Sequence, residues 1–580
     1  MKRTINLLFL LLLSLGTYAQ QTITGTVSDA GNSPLPGVNI LVKGTNQGTM
    51  TDANGFYSIE AIEDAEALVF SFIGYKNKTV AINGRTEINV TLEATSENLE
   101  EVVVVGYGTK KKSLVTGAIS QVQGEEMENI SATRPDQAIQ GRTAGVAIMS
   151  TSGSPGAGAK IRIRGTNSNR NSSPLYIVDG MKTGDINNID PSNIESIEVL
   201  KDAASAAIYG TEGANGVVLI TTKTGSAGAT QINYNYQYGV QSLRTNMETM
   251  DATQYKQWME EAGEDVSDRF GANTDWIEET FEPAPMQKHY LSFSGGNEKT
   301  TYALSGSYLT QDGIAGGDKA AYDRYTARLN ITSELKSWLE VGTKMNYMHS
   351  ENQNVLEDDE YSGLVNNVLL IDPLTPTTYE GTPEHMQELI DQGHTLIKDE
   401  DGNYFGLSEN ATGEISNPLA RIATYHHSTE QDKIMGTAYA KLKPFKGFSF
   451  TSRVGIDLAY QTESWWNPKF YFTTQENNSV LTMDDNINKW HTWLWENYIS
   501  YQTSFGQNNI SLMAGASAEK SVSPYYSLHS GPMITAGDEY AYHSSSLSRD
   551  LDLVGGGNTI NTMQSFFGRV SYDFNNKYLL

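Results

Sequence analysis

The chain reads as a mainly β protein: an N-terminal Ig-like β-sandwich, an α+β domain, and an antiparallel transmembrane β-barrel. Three observations predict this. Short β-branched runs separated by turns such as Asp52-Ala53-Asn54-Gly55 and Asn83-Gly84 fill residues 20–94, with the spacing of a sandwich. Residues 113–225 mix strands and Gly-rich turns around one short helical stretch. From residue 226 to 580 come ten long amphipathic runs whose connections alternate short and long, the pattern of an outer-membrane barrel.

Composition narrows the function classes. A length of 580 residues allows about three or four domains. An apolar share of 38% and a mean hydropathy of −0.41 exclude a helical membrane bundle. With 53 Gly, 31 Tyr and only 19% charged residues, the chain is neither a coiled coil nor an acidic disordered polymer. The excess of 68 acidic over 41 basic residues, a net charge of −27, argues against nucleic acid. The absence of cysteine removes disulfides, thiolate metal sites and cysteine nucleophiles.

The N-terminus is an export signal. Lys2 and Arg3 precede an apolar run over 7–15, and Thr17-Tyr18-Ala19 supplies a small-residue exit before Gln20. Residues 1–19 are therefore expected to be cleaved, being too short to span a bilayer, which takes ~20 residues. The mature chain is either soluble or a β-barrel.

Six sandwich strands are expected at 22–27, 38–42, 56–59, 68–72, 79–82 and 88–92. Residues 95–112 differ in kind: Glu100 and Glu101 lead into Val102, Val103, Val104 and Val105, then Gly106, Tyr107, Gly108 and Lys110 to Lys112. Such a run is extended. Local sequence leaves two readings open, a strand offered to a partner's sheet edge or an ordinary buried strand. In 113–225, an alternating strand is expected at 161–165, a strand then a turn over 174–180, and strands at 194–200 and 217–222, with a short helix over 202–209. Arg162 and Arg164 alternate with Ile161 and Ile163, so one face must meet water or carboxylates.

The barrel strands are expected at 231–241, 288–294, 301–310, 322–331, 338–348, 434–442, 448–460, 490–503, 510–518 and 566–574. Short turns are expected at 295–298, 333–336, 444–447 and 505–508, and longer connections elsewhere. Inward carboxylates such as Glu496 and Asp573 are candidate partners for Arg162 and Arg164. Trp490, Trp493, Trp495, Tyr498 and Tyr501 suit an interfacial girdle. Residues 350–432 hold 17 acidic residues against Lys398 and Arg421, which reads as a solvated loop. Within it, Asp399–Asn403 suits an Asp-Gly hairpin turn better than a calcium loop. Trp465 and Trp466, placed in an outer loop, could stack on sugar rings or pack the loop.

No catalytic constellation survives inspection. The Gly153–Lys160 stretch lacks the spacing of a phosphate loop, the nine histidines form no HExxH pair, and there is no GxSxG elbow. No enzyme, metal or cofactor is expected.

The order of parts resembles the SusC/RagA family of TonB-dependent outer-membrane transporters of Bacteroidota. The carriers are E-E-V-V-V-V-G-Y-G at 100–108, I-R-I-R-G at 161–165, L-Y-I-V-D-G at 175–180, I-E-V-L-K-D-A-A-S-A-A-I-Y-G at 197–210 and G-A-N-G-V-V-L-I-T-T-K at 213–223. The resemblance implies a carboxypeptidase-regulatory-like sandwich at 20–94, a TonB box and linker at 95–112, a plug at 113–225 and a barrel from 226. It implies that TonB, with its inner-membrane motor, engages Glu100 to Gly108, and that a SusD-like surface lipoprotein caps the outer loops. The cargo would be an oligosaccharide, or alternatively a peptide, and the N-terminal domains would be periplasmic. A signal-transducing receptor is the alternative, but its extra signalling domain is not what 21–94 looks like. Barrels of this class have about 22 strands, so the chain is expected to be an N-terminal portion whose barrel continues past Leu580.

Overall fold

The computed structural model describes residues 21–580 apart from 30, 44, 46, 62–66, 73–74, 76, 93–101, 112–116, 129, 131, 170, 361, 412, 535–541, 576–577 and 580. The export signal at 1–19, and Glu100 and Glu101, lie outside the described residues. The chain divides into two compact units, one of residues 1–102 with 111–113, the other of 103–110 with 114–580.

The first unit is a two-sheet sandwich. One sheet orders the strands Phe56–Ala61, Gln21–Asp29 and Val90–Leu92; the other orders Gly48–Met50, Asn39–Val42, Ala67–Ser71 and Lys78–Ala81. All six expected strands are present, with short Gly48–Met50 in addition. Alternation explains the core: Ile40 and Val42 are buried while Asn39 and Leu41 face out. Ile23, Leu68, Phe70 and Leu92 fill the centre, and Tyr57 meets Phe70 edge-on at 5.5 Å.

In the second unit, a mixed five-stranded sheet orders Ile119–Gln123, Ile194–Leu200, Val217–Thr222, Leu175–Val178 and Met181–Thr183. A hairpin of Val146–Ser150 and Ala159–Ile163 stands beside it. The helix Ala203–Ala206 starts where Asp202 accepts the Ser205 backbone N–H, an N-cap. This domain packs into the inner face of an eleven-stranded antiparallel sheet: Gly228–Gln241, Ala284–Gly296, Thr300–Gly313, Gly317–Lys336, Leu339–Gln353, His427–Leu442, Phe448–Asn467, Thr482–Phe505, Asn508–Ser530, Leu553–Phe574 and Tyr578–Leu579. We number these as the first to eleventh strands of the large sheet. Ten match the expected strands, and most run several residues further.

That extra length corrects one expectation. The connection between the third and fourth strands is only residues 314–316, not a long loop, because alternation continues on both sides up to Gly313 and from Gly317. On the outward face, Tyr236, His289, Tyr308, Tyr325 and His349 share one register row, with successive rings 4.8 to 6.4 Å apart. Three of the five expected girdle residues face out. Trp493, Trp495 and Tyr501 are outward and exposed, whereas alternation with buried Leu494 and Glu496 turns Trp490 and Tyr498 inward.

The acidic stretch between the fifth and sixth strands is not a bare solvated loop. It forms the helices Leu364–Leu370, Glu384–Asp391 and Pro418–Thr424 over two apolar clusters, one centred on Trp276, Leu364 and Val368, the other on Tyr379, Met386 and Phe472. Most of its charges lie outside a core that the local sequence hid, while Asp372 is buried and accepts from Thr375 and Asn410. Asp399–Asn403 is the expected turn: Asp399 accepts the Asn403 N–H at 2.7 Å, and Gly402 takes the left-handed conformation.

Candidate functional site

The valine run is folded inward. Val102–Val104 pairs with Thr109–Lys111 in a two-stranded hairpin, and Val103 is only 2% exposed. Of the two readings left open above, the buried one describes this conformation. The hairpin turn is Gly106-Tyr107-Gly108, and Tyr107 itself adopts φ +47°, a backbone that bulky residues rarely take.

Packing compensates for that strain. The Tyr107 ring stacks on Phe567 of the tenth strand at 4.4 Å, lies 6.1 Å from Tyr209 of the plug, and meets Tyr498 edge-on at 5.4 Å. Its hydroxyl donates to Glu496 at 2.6 Å, and Arg453 lies 5.7 Å from the ring. Burial, and then the charge and hydrogen bond of Glu496, push the Tyr107 hydroxyl well above its ordinary pKa, so it stays a donor. Arg569 donates to the carbonyls of Val105 at 2.6 Å and Gly106 at 3.3 Å.

Glu496 also takes the Arg453 fork, with Nε at 2.8 Å. Arg453 in turn presses on the plug turn at Gly180, where a Cβ would fall 1.9 Å from its Nη1. The turn therefore needs glycine both for its φ of +89° and for this approach.

The seam between plug and large sheet is lined by ion pairs and hydrogen bonds. Asp190 of the plug is fully buried; it accepts the Ser192 N–H and pairs with Lys288 at 2.7 Å and Arg324 at 3.7 Å. Burial alone would raise its pKa, but Lys288 and Arg324 outweigh burial and hold it below the usual carboxylate range. Asp179 takes Lys344 at 2.6 Å, and Lys433 donates to Thr183 Oγ1 at 3.0 Å and the Asp185 carbonyl at 3.2 Å. Arg328 holds Thr222, and Tyr290 and Ser305 both donate to Asn193. At the other end of the plug, Ser152 and Ser154 donate to Glu357 of the folded outer stretch.

Comparison with known proteins fits this geometry. Residues 23–104 match the CarboxypepD_reg-like domain, and residues 111–217 match the TonB-dependent Receptor Plug Domain. A TonB-dependent receptor of Formosa agariphila is 34% identical over 97% of this chain and 55% of its own length. The chain is similar along its length to TonB-dependent receptors and carries their plug domain. TonB-dependent receptor SusC of Bacteroides thetaiotaomicron is 28% identical over 98% of this chain and 56% of its own length. Among solved structures, the RagAB peptide importer in its open-open state matches with a TM-score of 0.69 at 24% identity, covering 82% of this chain and 55% of that one, a likeness of fold. The chain spans about half the length of the curated relatives it matches.

The anticipated pairing of Arg162 and Arg164 with Glu496 and Asp573 does not form. Arg162 donates to the Ile161 carbonyl of its own strand, and Arg164 is exposed, its backbone at φ +57° where the strand has ended. Glu496 does face inward, but it is held by Arg453 and Tyr107, while Asp573 accepts from Asn509 at 2.8 Å. At Asp190 and Asp179 the plug supplies the carboxylate and the large sheet the cation, whereas Lys182 of the plug pairs with Glu519 of the ninth strand at 3.0 Å in the opposite sense. Asp190 and its partners Lys288 and Arg324 escaped the sequence reading because the aspartate is far from both cations along the chain. The available signal was basic residues at inward positions of strands otherwise rich in Ser, Thr and Asn. Trp465 and Trp466 lie in the seventh strand rather than a loop and face opposite ways; Trp466 stacks on His426 at 3.7 Å.

Proposed function

We propose that this receptor imports a large nutrient across the outer membrane, driven by TonB, with an oligosaccharide as cargo and a SusD-like lipoprotein over its outer loops. The single observation that carries this reading is the hairpin at Val102 to Lys111. An extended valine strand, able to pair with a partner's sheet, is tethered through Tyr107 to the contacts that hold the plug in the lumen. The outer membrane offers no ATP, so work must arrive through a periplasm-spanning partner. Pulling on Val102 to Val105 would withdraw Tyr107 from its aromatic pocket and remove one of the two partners of Glu496. Arg453, which presses on the plug at Gly180, would then be the remaining partner of Glu496, so the pull would be felt next to the plug turn. Within the TonB box, the valines are the pairing surface and Gly106-Tyr107-Gly108 is the anchor; Glu100 and Glu101 extend the box on its N-terminal side. The outward apolar band with its aromatic row supports membrane insertion, with the sandwich on the periplasmic side.

The test is Val103→Pro, which removes a main-chain donor and breaks strand pairing. Uptake by cells should be abolished while surface abundance stays at the parental level; uptake at the parental rate would refute the coupling role. Topology is tested separately. Protease added to intact cells should cut within 350–432 and leave 21–112 intact.

A further inference from the structure

We propose that the inward face of the sixth to ninth strands carries a binding track for an uncharged oligosaccharide, with Trp465 and Trp490 as its stacking platforms. The proposal rests on the importer reading and names the class of cargo.

Register places the parts. Trp465 pairs with Asp484, and Trp490 lies six residues further along the same eighth strand, so the two rings are separated by ~20 Å along the strand direction. Both share the inward side by alternation. Trp465 lies two strand repeats from Gln461, which faces in with Lys433 and Arg453, and Trp490 lies on the same side as buried Leu494 and Glu496. Between them the inward pairs are Glu463 with Asn486 and Gln461 with Asn488. The lower end reaches the plug. Trp490 is in register with Ala459 and Lys433, and Lys433 touches plug residues Thr183 and Asp185. The track therefore runs from the outer end of the strands to the plug.

The chemistry of the wall selects the ligand. Amide side chains offer donors and acceptors together, and a carboxylate accepts two hydroxyls, which suits vicinal diols. Trp490 is 38% exposed, so its ring can meet the C–H face of a sugar. Above Lys433, among the described residues, these four strands present no Lys or Arg inward, whereas Glu463 and Asp484 are inward. Asp484 is paired with His529 at 2.7 Å and Glu463 accepts from Gln461, so a sulfated or uronic chain would meet carboxylates with no Lys or Arg to receive its own charge. A peptide would find no free strand edge, since the main chain here is paired on both sides within the sheet.

The experiment is titration calorimetry on the purified full-length receptor with neutral hexasaccharides of glucose, xylose and mannose, with hexagalacturonate, and with a basic hexapeptide. A neutral hexasaccharide should bind, and Trp490→Ala and Trp465→Ala should each weaken it by roughly tenfold, with Trp490→Phe restoring most of the affinity. Trp466→Ala should bind as the parent does. Circular dichroism and heat-modifiability of each variant identify any that misfold, and the Phe variant then decides. Preferential binding of hexagalacturonate or of the peptide, equal loss in Trp466→Ala, or no neutral ligand binding below ~1 mM would each overturn the track. Val103→Pro separates the two claims: it should bind like the parent, so failure of coupled uptake and failure of the track are read independently.

Discussion

The sandwich core and the plug seam are both buried, but they are held by different forces. Around Phe70, Leu68 and Ile23 almost everything is hydrocarbon, with Thr51 bridging two backbone groups, Leu35 carbonyl and Val38 N–H. Around Asp190 the buried atoms belong to Lys288, Arg324, Asn193 and their neighbours. Burial of apolar surface gives a unit that resists opening, because separation exposes hydrocarbon to water at ~25 cal/mol per Å². An ion-paired seam exchanges its partners for water when it opens, so desolvation largely offsets its Coulomb attraction. The contrast shows that one region is built to stay closed, and that the other can part and re-form.

The largest expected effect that sharpens this contrast is in the sandwich. Phe70→Ala should destabilise it by ~3–5 kcal/mol through the lost transfer energy and the cavity. Hydrogen exchange on the whole chain should show protection falling over the sandwich strands and unchanged over the plug. Loss of protection in both regions would mean that they fold as one cooperative block.

In the seam, Lys288→Met alone should cost ~3–5 kcal/mol, because Asp190 is left with distant Arg324. Adding Asp190→Asn should recover much of that loss. A double-mutant cycle scored by denaturant midpoints tests it; a pair that fails to recover would show the seam to be as hard to open as an apolar core.

Acid acts on the seam in a definite direction. The Asp190 pKa is depressed in the folded state. Its contribution is therefore complete above the unfolded value of about 3.9 and is lost as pH falls through the lower, folded value. Plug protection against protease should thus hold from neutrality to about pH 4 and weaken below it, and Asp190→Asn should flatten that decline.

Tyr107→Phe should have a smaller effect. It keeps the ring stack and loses only the bond to Glu496, worth ~1–2 kcal/mol for a charged acceptor. Labelling of a cysteine placed at Val103 should rise several-fold in Tyr107→Phe and further in Tyr107→Ala. Smallest of all, Arg162→Ala with Arg164→Ala should change stability by under ~0.5 kcal/mol, with no added antibiotic leak, since neither side chain reaches the large sheet.

Local pattern was enough for much of this protein. Period-two alternation with turn residues located the six sandwich strands, four of the plug strands and ten strands of the large sheet, because facing and turning are decided within a few residues, but it missed Ile119–Gln123, Val146–Ser150 and Met181–Thr183. It also marked the valine run and the inward direction of Glu496. What it could not do was choose partners. Arg162 looked like an anchor from its alternation, yet its strand pairs locally and its guanidinium turns back to Ile161. Trp465 and Trp466 looked like one loop feature, yet a strand sends them to opposite faces. The acidic stretch at 350–432 looked solvated because its apolar residues are scattered over short helices that only meet when Trp276 joins them from another connection. Whether a charge is paired, and whether a valine strand is offered or tucked away, depends on side chains brought together from distant parts of the chain. Asp190, Lys288 and Arg324 meet only once the large sheet has wrapped the plug, so tertiary structure decided the seam.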